Sequence, residues 1–266
     1  MRSMQRTGES FLAELAKAAR SRVAAGYYKV PSESEARKLS LAKSLRRKDR
    51  IPIIAEVKFR SPAEGRLARR RDVGEVAAAY ESGGASGISV LTEPEHFDGR
   101  LGYVSMVKRS VRIPVLMKDV VVDEAQVEAA RRLGADAVLL ITGIFERGEA
   151  DGTLAEMIAR VHSGGMEVVV EAHDERELDV ALSNEADVVG INNRNLADLS
   201  VSTAVSRRLL RRAPFAKPVI CESGIGTRGE VVSLKRLGAD GFLIGSALMK
   251  SKSPASALRE LTRLGP

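Results

Sequence analysis

Gly84-Ala85-Ser86-Gly87-Ile88-Ser89-Val90-Leu91 and Gly134-Ala135-Asp136-Ala137-Val138-Leu139-Leu140-Ile141 both start with a small-residue turn and run on into an aliphatic stretch. The pattern returns in Glu185-Ala186-Asp187-Val188-Val189-Gly190-Ile191 and in Gly238-Ala239-Asp240-Gly241-Phe242-Leu243-Ile244-Gly245. The four starts lie 50, 51 and 53 residues apart. Between them fall four more apolar runs, Ile51–Val57, Ile113–Met117, Glu167–Val170 and Pro218–Cys221. These runs are too apolar on both faces for an exposed antiparallel sheet and predict strands covered on each side.

Working outward, apolar residues at three- and four-residue spacing predict helices over Val73–Tyr80, Asp123–Leu133, Thr153–His162, Asp174–Leu182, Val201–Arg212 and Thr227–Leu237. Asp123, Thr153, Asp174 and Thr227 are placed to cap them, and Gly134 and Gly238 to stop them. A unit of two strands and two helices repeated four times predicts an α/β fold closed into a (β/α)₈ (TIM) barrel. A doubly wound open sheet would not produce that repeat. Residues 1–50 stand outside it, with helical patterns over Phe11–Ala25 and Ser32–Arg47. The expectation is one domain over 1–266, a helical extension (1–50) on a barrel (51–266).

Composition agrees with this. The 266 residues are 44% hydrophobic but only 4% aromatic, with no Trp, so branched aliphatics must fill the core. Cys221 is the only cysteine, which rules out an internal disulfide and a cysteine-rich zinc site. His96, His162 and His173 show no metal-ligand spacing, so no metal is expected. The net charge is +7, and the basic clusters Arg46-Arg47-Lys48, Arg69-Arg70-Arg71 and Arg211-Arg212 lack interleaved aromatics. They read as solvated surface or as attraction for small anions, and nucleic acid is not the expected partner. No membrane-length apolar run and no signal-like N-terminus is seen, and a cytoplasmic protein is expected.

The ends of the odd-numbered runs carry charge. The first ends Glu56-Val57-Lys58, the third Lys118-Asp119, the fifth Glu171 and the seventh Glu222-Ser223. In a barrel these strand ends face the mouth, and alternate strands share interior layers, so two lysines and three glutamates should meet there. Such a cup suits paired proton donors and acceptors. Burial would pull lysine down and glutamate up toward neutrality, while ion pairing pushes the other way. After the sixth run, Asn192 and Arg194 can hold a hydroxyl or carboxylate. The glycine loops Ser223-Gly224 and Gly245-Ser246 follow runs seven and eight, where many barrels bind phosphate through backbone N–H groups and a helix end.

With these positions in view, Ile54-Ala55-Glu56-Val57-Lys58 with Ser61-Pro62, Ser89-Val90-Leu91-Thr92-Glu93, Met117-Lys118-Asp119, Gly190-Ile191-Asn192-Asn193-Arg194, Glu222-Ser223-Gly224-Ile225 and Ile244-Gly245-Ser246 resemble indole-3-glycerol phosphate synthase of tryptophan biosynthesis. The likeness runs from about Ile51 to Lys250. It implies closure of the pyrrole ring of 1-(2-carboxyphenylamino)-1-deoxyribulose 5-phosphate with loss of CO₂ and water, without metal or organic cofactor.

By the same resemblance, Lys118 is the general acid at the ribulose carbonyl and Glu171 the base of the dehydration. Lys58 meets the anthranilate carboxylate and is a second proton donor. Glu56 orients the lysines, and Asn192, Glu222 and Ser223 complete the polar cup. Ser61, Gly224, Gly245 and Ser246 receive the phosphate, and Arg194 anchors a carboxylate or a neighbouring acid. Phe97, Leu139, Leu196 and Ile244 are candidate walls for the aromatic ring. The chain departs from the family at Val120, where an aromatic is frequent, and at Phe59, where a polar residue is usual.

Three other readings compete. A phosphoribosylanthranilate isomerase-like phosphosugar barrel would want a cysteine or aspartate acid–base pair, and alternation turns Cys221 toward the helices. A catalytically silent phosphate-binding barrel would have no reason to keep every charged strand end. A nucleic-acid binder would need a motif, and none is present. A small phosphorylated substrate and no membrane partner are expected, with a monomer that associates weakly with other tryptophan-pathway enzymes.

Overall fold

The computed structural model describes residues 10–31, 34, 36–68 and 72–265. Eight parallel strands close into a barrel: β1 (Ile53–Val57), β2 (Gly87–Leu91), β3 (Val115–Lys118), β4 (Ala137–Ile141), β5 (Glu167–Ala172), β6 (Val188–Asn192), β7 (Val219–Glu222) and β8 (Gly241–Ile244). Each strand pairs with the next in the chain, and β8 pairs with β1 through Ile53 opposite Phe242. All eight expected runs are therefore strands.

Alternation along each strand sorts two cores. Ile54, Leu116, Leu139, Val169, Ile220 and Leu243 fill the barrel interior. Their neighbours Ala55, Met117, Leu140, Val170, Cys221 and Ile244 pack outward in the larger core between strands and helices. Cys221 is fully buried there, with its thiol pushed up to about 12 by burial.

The repeat has a visible purpose at the N-terminal end of the barrel. Asp136 donates its backbone N–H to the carbonyl of Val115 and accepts the Val115 N–H on Oδ2 at 2.8 Å. Asp187 does the same with Val168, and Asp240 with Val219. Each aspartate thus clasps the first residues of the preceding odd strand. In the first repeat Ser86 stands at that position and, among the described residues, keeps only the backbone bond, to Ile53.

The expected helix caps are present. Asp123, Thr153, Asp174 and Thr227 each accept a backbone N–H in the first turn of the helix that follows, and Gly134 ends helix Glu124–Leu133 at φ 85°. Two expectations need correction. The helix expected over Val201–Arg212 is Ala204–Leu209 with a 3₁₀ turn to Arg212, because Val201 pairs with Arg194 in a β-bridge. The helix expected over Ser32–Arg47 is only Leu41–Leu45, and Ser32, Glu33 and Glu35 lie outside the described residues. Just before it, Leu39 N donates to Asp136 at 2.7 Å and Lys38 to the carbonyl of Ala135, which holds the backbone extended across the barrel base. Helix Gly102–Ser110, after β2, was not anticipated; Val104 and Val107 bury it.

The extension contributes at both ends of the barrel. Leu41 and Leu45 join the interior core, as do Leu12 and Leu15 from helix Phe11–Ala24. Among the described residues no helix is long and apolar enough to cross a membrane. Of the basic clusters, Arg47 pairs with Asp49 and Arg212 with Asp179 on the surface, and Arg69 to Arg71 lie outside the described residues.

Candidate active site

Inward-facing Glu56, Lys118, Glu171, Asn192 and Glu222 stand at the last or next-to-last position of five strands and meet in one cup. Lys118 Nζ lies 2.5 Å from Glu222 and 3.8 Å from both Glu56 and Glu171. Lys58 Nζ lies 2.6 Å from the other oxygen of Glu56. Asn192 donates to Glu171 Oε1 at 2.8 Å, leaving Oε2 turned toward Lys118. Two glycines leave space for this. A Cβ on Gly190 would come within 2.3 Å of Glu222 Oε1, and one on Gly245 within 2.5 Å of Glu56 Oε1.

The electrostatics follow from enclosure. Burial works to neutralise the Lys118 amine, but Glu222, Glu56 and Glu171 outweigh it and hold the amine above its ordinary 10.5. Glu56 is pulled below its ordinary value, because Lys58 and Lys118 together outweigh its burial. Glu222 is driven upward: it is fully buried, and Glu171 and Glu56 add repulsion that Lys118 does not cancel. Its Oε1 has no hydrogen-bond partner among the described residues.

Above the cup opens a cavity of about 580 Å³, in the range of small-molecule sites. Phe97, Leu139 and Leu196 form part of its wall, as expected, together with Val120. Arg194, Ser223, Gly224, Gly245 and Ser246 also line it. The Arg194 guanidinium donates to the carbonyl of Leu199, holding its own loop.

Three expected residues do not reach the cavity. Ile244 faces the helices, and Leu243 takes the wall position because one step along a strand changes face. Ser61 is buried in a two-residue ribbon, Arg60–Ser61 with Gly65–Arg66, and the turn residues Ala63 and Glu64 reach the cavity instead. Glu222 is fully buried, with Lys118 Nζ 2.5 Å from its Oε2.

Sequence spacing did not reveal a second network. Asp119, on the cavity wall beside Lys118, accepts from Thr92 at 2.6 Å and from Tyr28 of the extension at 3.0 Å. Burial pushes its carboxyl up. Arg22, also of the extension, donates to Glu93 at 3.1 Å and Glu95 at 3.2 Å. Glu93, Glu95 and His96 have the spacing of a cation site, yet the Arg22 guanidinium already supplies their counter-charge.

A family model described as indole-3-glycerol phosphate synthase matches residues 9–261. Among curated relatives, the indole-3-glycerol phosphate synthase of Methanopyrus kandleri is 44% identical over 222 residues, covering 81% of this chain and 84% of the relative. Indole-3-glycerol phosphate synthase 2 of Streptomyces coelicolor is 41% identical over 211 residues, covering 79% of this chain and 80% of the relative. Similarity to solved structures at low identity reports the fold alone. Thiamine phosphate pyrophosphorylase from Pyrococcus furiosus aligns with TM-score 0.58 at 18% identity, over 79% of this chain and 93% of that one. N-acetylmannosamine-6-phosphate 2-epimerase from Clostridium perfringens aligns with TM-score 0.58 at 15% identity, over 81% and 93%.

Proposed function

The chain belongs to the indole-3-glycerol phosphate synthase family, the carboxy-lyases of tryptophan biosynthesis, and from that premise we propose how its residues divide the reaction. The substrate, 1-(2-carboxyphenylamino)-1-deoxyribulose 5-phosphate, lies across the cavity. Its phosphate rests on Gly224, Gly245 and Ser246, and its aromatic ring against Phe97, Leu139 and Leu196.

As the ring carbon bearing the carboxylate attacks the ribulose carbonyl, the carbonyl oxygen becomes an alkoxide. Lys118 faces that oxygen as an ammonium and gives it a proton as its basicity grows. Loss of CO₂ returns the electron pair to the ring. Dehydration then needs a base for the ring proton and an acid for the departing hydroxide. Glu171, oriented by Asn192, takes the proton, and Lys58, held by Glu56, supplies the other. Glu222 is a positioning residue for Lys118. Arg194 and Ser223 border the substrate, and no metal or organic cofactor is required.

The observation that carries this reading is the placement of Lys118 among three carboxylates at the floor of a cavity with one aliphatic wall and one glycine-rich wall. We take the protein to be one barrel domain acting as a cytoplasmic monomer, with at most weak association with other enzymes of its pathway. The test is incubation with the anthranilate–deoxyribulose phosphate and detection of the fluorescent indole product, with and without a chelator. Equal turnover in both is expected. Activity that disappears with chelation, or no product from folded protein, overturns the assignment.

A further inference from the structure

The turn of the ribbon after β1 places a carboxylate against the phosphate loops. Ser246 Oγ donates to Glu64 Oε1 at 2.7 Å, and Lys250 Nζ pairs with Oε2. Both partners belong to helix Ser246–Lys250 after β8, and all three residues line the cavity. The hydrogen bonds from Lys250 and Ser246 outweigh partial burial and hold the Glu64 carboxyl below its ordinary value, so it is an anion at neutral pH.

A hydroxyl has one proton to give, so Ser246 cannot donate to Glu64 and to an arriving phosphate at once, and the single charge of Lys250 would be shared between them. Two anions on the same donors also repel each other. We propose that Glu64 is a stand-in anion that occupies the phosphate site of the empty enzyme, and that the substrate phosphate displaces it by taking over Ser246 and Lys250. The proposal rests on the phosphate position given under Proposed function. Displacement releases the turn of the ribbon at Ala63 and Glu64. It also sets specificity: a dianionic phosphate outcompetes a single carboxylate, whereas an unphosphorylated sugar leaves Glu64 in place.

The experiment is a titration of wild type, Glu64→Ala, Glu64→Gln and Ser246→Ala with inorganic phosphate at pH 8, read by calorimetry or by phosphorus NMR. If the Glu64-occupied form dominates about ten to one, Glu64→Ala binds phosphate about tenfold tighter. Glu64→Gln, which keeps an acceptor but loses the charge, falls between, and Ser246→Ala binds more weakly than wild type. Phosphate affinity unchanged or reduced in both Glu64 variants, with Ser246→Ala still weakened, overturns the stand-in and leaves the phosphate position standing. Equal affinity in wild type and Ser246→Ala, or no binding to any of the four, removes the phosphate from this loop and the stand-in with it.

Discussion

Lys118 and Glu222 make the closest contact in the cup, 2.5 Å from Nζ to Oε2, while the other oxygen of Glu222 is buried without a hydrogen-bond partner among the described residues. Burial, with the charges of Glu171 and Glu56, raises Glu222 to about 7 against the pull of Lys118. Glu222→Gln removes one of the three anions that raise the Lys118 amine, so that amine becomes more acidic. The basic limb of the rate profile then moves to lower pH, and an inflection near 7 disappears. Turnover falls about tenfold or more from lost positioning. The profile of kcat/KM from about pH 5 upward is the measurement: the wild-type amine is held above its ordinary 10.5, and the fall in rate of the variant begins at lower pH. An unchanged basic limb refutes the coupling.

Lys118→Ala is expected to lower kcat by about 10²- to 10⁴-fold, the usual worth of a positioned proton donor. Affinity for a non-reacting phosphate ligand stays within a few-fold, because Ser246 and Gly245 are untouched. Arginine should not rescue turnover, since a guanidinium does not release its proton near neutrality. Single-turnover fluorescence of the indole product, beside ligand titration, separates the two effects. Turnover within a few-fold of wild type would remove Lys118 from its role.

Gly190→Ala puts a methyl 2.3 Å from Glu222 Oε1, so the buried carboxylate that pairs with Lys118 must shift. Activity is expected to drop at least about tenfold, because Glu222 and then Lys118 must shift by a sizeable fraction of an ångström. Overpacking of this kind costs about 1–3 kcal/mol of stability, so the fold survives. Thermal unfolding and turnover measured on one sample test both parts; full activity contradicts the packing.

The extension carries its own pH signature. Arg22 and Glu93 are 8% and 1% exposed, a buried pair. Burial raises the Glu93 carboxyl, but His96 and Arg22 overcome this and hold it below its ordinary 4.5. A depressed carboxyl stabilises the fold above its unfolded value, and that contribution is lost as pH falls through the folded value. Arg22→Met leaves Glu93 buried without its cation, which costs about 3–5 kcal/mol. Its stability should also vary less with pH through the acid range below 4.5, because the depression of Glu93 is partly removed. Urea midpoints from pH 7 downward measure this (roughly 7 to 3, the carboxylate range). A variant as stable as wild type at pH 7 contradicts the pairing.

The barrel was readable because its strands repeat: Gly134-Ala135-Asp136 and Gly238-Ala239-Asp240 mark the same structural step, and alternation then assigns inside and outside. The odd strand ends Glu56, Lys118, Glu171 and Glu222 were legible for the same reason. Alternation also corrects Ile244, which follows inward-facing Leu243 and so must face the helices. Contacts between distant segments were not legible. Glu64 meets Ser246 across 182 residues, and Tyr28 meets Asp119 across 91; no local period encodes either. The short helix at Leu41–Leu45 was overestimated because Lys38 and Leu39 are bonded to Ala135 and Asp136 instead of continuing a helical ladder.

The aspartate clasps divide the barrel into cassettes. Asp136 closes β3 with β4, Asp187 closes β5 with β6, and Asp240 closes β7 with β8. Ser86 closes β1 with β2 through its backbone alone. A cut in the loop 148–152 separates two complete cassettes from two others and severs no clasp. A cut inside 119–135 parts Val115 from Asp136. The first pair of fragments therefore keeps each of the four clasps within one fragment, and the second does not. The chain can be divided into halves at the seams between its cassettes, and the weakest of the four is the one fastened by serine.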